Sequence, residues 1–235
     1  MSDHTNKQFD AEMESIRTGV LSMGGVVEQQ LTRAIAALEK EDDAKLLDAV
    51  GENEAVINNL QITIDQQCAQ IIAKRQPAAV DLRMILTVSK IVNDLERIGD
   101  EVKKVAYKAG DTYGNARLAR VRYYDATQAL ANAMSMLRLA LDAFARLDVE
   151  AAAEVIDRDT AIDAAFASIL RQLISYMMED PRTITPALEI VFIAKSIERI
   201  GDHAKNIAEA VVQVVKGKDV RHASATEIRA EIAQP

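Results

Sequence analysis

One twelve-residue word occurs twice in this chain. Leu95–Ala106 reads LERIGDEVKKVA and Ile197–Ala208 reads IERIGDHAKNIA. Seven of the twelve positions are identical, and two more are Leu/Ile or Val/Ile exchanges. A match of that density at an offset of 102 residues makes the chain two copies of one unit. Each copy of the word carries a Glu and an Asp four residues apart, Glu96 with Asp100 and Glu198 with Asp202.

The apolar spacing around these words is helical throughout. Phe9, Met13, Ile16, Val20, Met23 and Val27 alternate steps of four and three, and the stripe continues through Leu31, Ile35 and Leu38. Residues 1–8 read as a polar, frayed lead. Gly24-Gly25 marks a weak point in this first helix or a place of close packing. A second helix, capped by Asp42 or Asp43, carries Val50, Ile57, Leu60, Ile64, Cys68 and Ile71. Pro77 forces a turn at Gln76 and suits the first turn of a third helix. That helix has the cleanest heptad, Met84, Val88, Ile91, Leu95, Ile98, Val102 and Val105. GDTYGN (110–115) reads as the boundary between copies. The second copy repeats the scheme with helices over about 116–146, about 151–179 and about 187–217, separated by RLDVEA and MEDPRTITP. Short connections make antiparallel neighbours. The expected fold is therefore all-α, with six long antiparallel helices in two tandem three-helix bundles related by internal pseudo-symmetry. The expected units are 1–112 and 113–217, followed by a polar C-terminal tail, 218–235, that carries a last helical turn or two.

The word's carboxylates fall beside the apolar stripe. At about 100° per residue, Glu96 lies about 100° and Asp100 about 140° from the seam residue Leu95. Glu198 and Asp202 take the same angles from Ile197. Gly99 and Gly201 lie between carboxylates and seam, where a missing side chain lets a neighbour or a water approach the backbone. The second and fifth helices carry matching pairs, Glu54 with Asn58 and Asp159 with Asp163, at about 60° and 100° from Ile57 and Ile162. Each unit thus offers four oxygen donors on two neighbouring helices. That donor set suits a hard or borderline cation such as Mg²⁺, Mn²⁺ or Fe. An acidic i,i+4 pair on a solvated shoulder needs no ligand to exist, but it repels itself mildly. Its recurrence at matched angles in both copies favours a metal role.

Other chemistry is poorly supported. A net charge of −8 leaves no basic stripe for nucleic acid. The single cysteine, Cys68, excludes an internal disulfide framework. No Glu-x-x-His, phosphate loop, nucleophile elbow or CxxC pair occurs. His203 follows Asp202, but the first copy has Glu101 there, so it is no shared ligand. His4 and His222 sit near the ends. With no leader-like start and no apolar run of 18 residues, the chain is expected to be cytoplasmic.

FDAEMESIR, IIAKRQPAAVDLR, DLERIGDEV, RQLISYMMEDPRTI and SIERIGDHAKNI together resemble the PhoU family, accessory regulators of bacterial phosphate-specific transport. The resemblance covers nearly the whole chain. It implies a pair of three-helix bundles, usually dimeric. It also implies Glu/Asp-x-x-x-Asp motifs that bind metal, as Fe or Zn clusters in some members and Mg²⁺ or Mn²⁺ in others. Glu96–Asp100, Glu198–Asp202 and Asp159–Asp163 match those motifs fully. Glu54 matches, with Asn58 in place of the Asp, which implies a weaker first site.

The role implied is not enzymatic. It is negative regulation of phosphate uptake and of the phosphate-starvation response, maintaining phosphate homeostasis by bridging the phosphate ABC transporter ATPase subunit and the PAS domain of a PhoR-type sensor histidine kinase. Contact with the membrane is then peripheral, through the transporter. A di-metal carboxylate enzyme would need an open coordination position and usually His ligands. A purely structural helical protein would bind no metal. The connections 74–83 and 179–186, equivalent between copies and read as lying at one bundle end, are the expected contact surface.

Overall fold

The computed structural model describes residues 2–39, 44–112, 116–221, 223 and 225–232. They form α1 (Ser2–Glu39), α2 (Ala44–Arg75), α3 (Ala79–Thr112), α4 (Ala116–Arg146), α5 (Val149–Glu179), α6 (Ile184–Lys216) and α7 (Ala225–Ile232). A single 3₁₀ turn, Pro181–Thr183, precedes α6, and no strand occurs among the described residues. The helix α1 begins at Ser2, so the polar lead is helical. Asp42 and Asp43 lie outside the described residues, as do residues 113–115 of the expected boundary. Within that stretch α3 continues through Gly110 to Thr112.

Local chemistry sets the helix ends. The Asp148 side chain accepts hydrogen bonds from the Glu150 and Ala151 backbone N–H groups and so starts α5. Asp180 ends α5 and accepts from the Arg182 N–H, which starts the 3₁₀ turn. Pro77 falls in the α2–α3 turn, two residues ahead of α3 and not inside it as the sequence suggests. Gln76 and Ala79 flank it at φ 48° and 47°, so the reversal is made by left-handed residues on either side of the proline. The α6 helix ends on Gly217 at φ 76°. A β-carbon there would meet only the Arg83 guanidinium, the tip of a flexible side chain, so it is the left-handed conformation that requires glycine.

Each stripe read from the sequence faces inward. Ile16, Val20, Met23, Val27 and Leu31 of α1 and Leu95, Ile98, Val102 and Val105 of α3 are fully buried. The helices α1–α2–α3 pack as one bundle and α4–α5–α6 as another. The two share one continuous core. The most extensive helix interface joins the bundles, α3 against α6, with α1 against α4 beside it. Gly24 makes the latter close. A β-carbon on it would stand 2.5 Å from the Leu141 Cδ1, so the Gly24 position is an inter-bundle contact inside an unbroken α1.

The α3–α6 seam is antiparallel. Lys90 donates to Gln213 at 2.9 Å, His203 Nδ1 lies 2.8 Å from Asp94, Arg199 lies 3.0 Å from Glu101, and Lys108 donates to Glu189 at 2.6 Å. Residue numbers rise on one helix as they fall on the other. The centre of the seam lies near Ile98 and Ile200, within the two copies of the repeated word. This geometry corrects one expectation. The connections 74–83 and 179–186 lie at opposite ends of the molecule, because the start of α3 meets the end of α6, as the Arg83–Gly217 contact shows.

The segment from Lys218, polar in composition, carries a seventh helix. Ile228 and Ile232 are buried, and α7 packs chiefly on α5. The Arg229 Nε donates to Asp157 of α5 at 2.9 Å, which ties α7 to α5, and Lys218 donates to Glu231 at 2.7 Å, which closes the segment on itself.

Candidate metal centre

The two shoulders are built alike. Ile57 of α2 lies against Gly99 of α3, its Cδ1 3.1 Å from where a β-carbon would stand. Ile162 of α5 does the same to Gly201 of α6, at 3.2 Å from its Cγ2. The two glycines therefore serve close helix packing. By bringing α2 onto α3 and α5 onto α6, they place the neighbouring acidic pairs side by side.

On the second shoulder all four predicted carboxylates share one field. Asp202 is pushed above the ordinary carboxylate range by burial and by the charges of Glu198, Asp159 and Asp163. Asp163 is pushed the same way by burial, Asp159 and Glu198. Asp159 is 5% exposed. Its Oδ2 accepts a hydrogen bond from Lys205 at 2.8 Å, and its Oδ1 is buried with no hydrogen-bond partner. Glu198 accepts from Lys195.

The first shoulder is weaker in charge. Glu96 is pushed up by burial and by Asp100, with Glu54 adding to it, against Arg97 and His203. Glu54 pairs with Lys103. Asn58 contributes only a neutral amide. Lys103, Lys104, Lys108 and Tyr107 line the surface beside Glu54 and Asp100.

The lysines were not singled out from the sequence, yet they occupy the same place in the repeated word. Lys103 reaches from α3 to the first acid of the α2 pair, and Lys205 reaches from α6 to the first acid of the α5 pair. The signal was present, since this lysine is one of the seven identities between the words. Among the described residues, no three His, Cys, Asp or Glu side chains stand close enough to chelate a metal ion as they are oriented. Glu54, Asp159 and Glu198 are each turned toward a lysine instead.

His203 takes no part in its own shoulder. It points across the seam to Asp94 of α3, which also accepts from Asn206 at 3.2 Å. Its counterpart Glu101, 4% exposed, crosses the same seam in the other direction. Burial pushes the Glu101 carboxyl up, but hydrogen bonds from Lys104 and Ser196 and the charge of Arg199 outweigh this and hold it below the ordinary range. The side chains of His4 and His222 lie outside the described residues.

The donor chemistry fits a divalent cation. The second shoulder offers four carboxylates, two of them held above their ordinary range by burial and by mutual repulsion, and one orphaned buried oxygen. An all-oxygen set favours Mg²⁺ or Mn²⁺ over Zn²⁺, which is drawn to nitrogen and sulfur.

Comparison with known proteins agrees with this architecture. The PhoU domain family model matches residues 20–109 and 127–211. The phosphate-specific transport system accessory protein PhoU homolog of Pseudomonas aeruginosa is 44% identical over 232 residues, 99% of this chain and 95% of that protein. The phosphate-specific transport system accessory protein PhoU of Escherichia coli K12 is 42% identical over 228 residues, 97% and 93% respectively. The crystal structure of PhoU from Pseudomonas aeruginosa superposes with a TM-score of 0.85, covering 89% of this chain and all of that one. The phosphate transport system regulatory protein PhoU from Streptococcus pneumoniae gives 0.82 at 26% identity, covering 90% and 99%. Among the described residues no helix is long and apolar enough to cross a membrane.

Proposed function

The chain belongs to the PhoU family, and on that footing we propose that it is a metal-binding, non-enzymatic regulator of phosphate-specific transport. It restrains phosphate uptake and the phosphate-starvation response when phosphate is plentiful. It does so as a cytoplasmic, dimeric adaptor between the transporter's ATPase subunit and the PAS domain of a sensor histidine kinase, touching the membrane only through the transporter. The names carried by its relatives support the transport role.

The observation that carries the metal reading is the second shoulder, where the charges of Asp159, Asp163 and Glu198 act on Asp202 and Asp159 keeps a buried carboxylate oxygen that lacks a partner. A divalent cation bound there supplies positive charge that relieves this repulsion and ties α5 to α6. The first shoulder, Glu54, Asn58, Glu96 and Asp100, is the weaker site because it has one carboxylate fewer.

Calorimetric titration of Mn²⁺ and Mg²⁺ into chelator-stripped protein tests the reading. Saturable binding that an Asp100→Ala, Asp202→Ala double variant loses is the expected result. Absence of binding, or binding that the variant keeps, returns these carboxylates to solvated surface. The regulatory role is tested separately in cells. Replacing the gene with the double variant is expected to raise phosphate-transport expression in phosphate-rich medium, and unchanged repression would detach regulation from metal.

A further inference from the structure

Lys103 and Lys205 hold one position in the two copies and make one contact, each reaching from the repeated helix to the first acid of the pair on the neighbouring helix. Both lie in partly exposed settings, with 37% and 35% of the side chain accessible, so each can swing to water. Each acid they hold is a predicted metal ligand, and Asp159 keeps its second oxygen buried and without a partner. An ammonium on a four-carbon stem is a point charge that can be withdrawn, unlike a divalent ion that must be recruited.

We infer that Lys103 and Lys205 are built-in counter-cations, each occupying its acidic shoulder until a divalent cation displaces it. The inference rests on the metal reading above and assigns it a regulation: binding is an exchange of one tethered positive charge for two. Several features of the shoulders follow from exchange. Glu54 and Asp159 are each turned toward the repeated lysine. Removing the repeated lysine leaves the acids uncompensated, which loosens the protein without metal and strengthens its attraction for metal. A lysine that instead served as a supporting element of a metal site would show the opposite effect on affinity. The released ammonium becomes a free exposed charge beside the loaded shoulder, so metal loading changes the surface as well as the interior.

Two measurements test this. In calorimetry with Mn²⁺ and Mg²⁺, Lys205→Met is expected to bind about tenfold more tightly than the unaltered protein at the second shoulder, while its thermal midpoint in chelator falls. In the unaltered protein, amine-reactive labelling read by mass spectrometry is expected to rise several-fold at Lys205 and Lys103 on addition of Mn²⁺, with Lys7 unchanged. That measurement needs no variant and stands if Lys205→Met fails to fold. Metal binding with equal or weaker affinity in Lys205→Met, or binding without a labelling change at either lysine, overturns the exchange and leaves the metal reading intact. Absence of binding by both proteins, with labelling unchanged, overturns the metal reading and the exchange with it.

Discussion

Ile162 rests on the bare backbone of Gly201, with its Cγ2 3.2 Å and its Cγ1 3.4 Å from the place a β-carbon would take. Alanine at Gly201 gains helix propensity of about 1 kcal/mol but overpacks the α5–α6 contact at a cost of about 1–3 kcal/mol. Gly201→Ala is expected to destabilise the protein by about 1 kcal/mol in urea denaturation. Because the strain lies in one contact, the Gly201→Ala, Ile162→Ala pair should lose less than the sum of its parts, by about 1 kcal/mol. Strict additivity would remove the contact as the cause.

Glu209 lies on α6 one turn beyond Lys205 and is 5% exposed. Burial pushes its carboxyl up to about 7, with Asp159 and Asp219 pushing the same way and Lys205 and Arg221 pulling it down. A carboxyl raised on folding binds its proton more tightly in the folded state. Its contribution to stability is therefore fully present below about 4.5 and lost as pH rises through about 7. Denaturation at a series of pH values should show that decline, on the order of 2–3 kcal/mol. Glu209→Gln should flatten it and raise stability at pH 8.

Glu101 should behave oppositely. Its carboxyl is held below the ordinary range, against burial, by Lys104 on its own helix and by Ser196 and Arg199 across the seam. The stability it supplies is present above the unfolded value and lost as pH falls through the folded one. Glu101→Gln is expected to cost about 1–2 kcal/mol at pH 8, and much less in acid. An equal cost at both ends of the pH range would mean that packing, not charge, is what the residue contributes.

Asn58 is the one position where the two shoulders differ in donor type, facing Asp163 in the other copy. Asn58→Asp restores the fourth carboxylate. Calorimetry should then find the first shoulder binding Mn²⁺ about tenfold more tightly, approaching the second. No gain would place the weakness in the surrounding lysines instead.

Burying Ile228 and Ile232 beneath α7 removes two large side chains from water. Each fully buried isoleucine is worth about 1.5–3 kcal/mol. Ile228→Ala should lower the thermal midpoint measurably and expose the Arg229–Asp157 pair to proteolysis of the segment. An unchanged midpoint would show that α7 adds nothing to the core.

Much of the fold was legible because the signal is local. A stripe such as Leu95, Ile98, Val102 and Val105 repeats at the helical period and must face inward, whatever it meets. The partner of a stripe is not written the same way. The α6 helix is buried all round over residues 207–212 because it meets α3, α4, α5 and α7, and a single stripe does not announce four neighbours. The short helix α7 was legible only as a last helical turn or two, since two isoleucines among charges give too few turns to define a period. At the shoulders, periodicity placed the acids correctly relative to the seam, but it could not say that Lys103 and Lys205 reach back to them. Those contacts depend on the distance to the next helix, which Gly99 and Gly201 set.

The antiparallel seam has a mechanical consequence. Its midpoint is also the midpoint of α3 and of α6, and both acidic shoulders lie level with it. Each long helix is thus a beam held at its centre, with arms of about 25 Å on either side. A change of about 5° in the angle between the beams, too small to break a contact at the centre, carries their tips through about 2 Å. Charge exchanged at the waist is therefore best detected far from it, at the two ends where the helices turn.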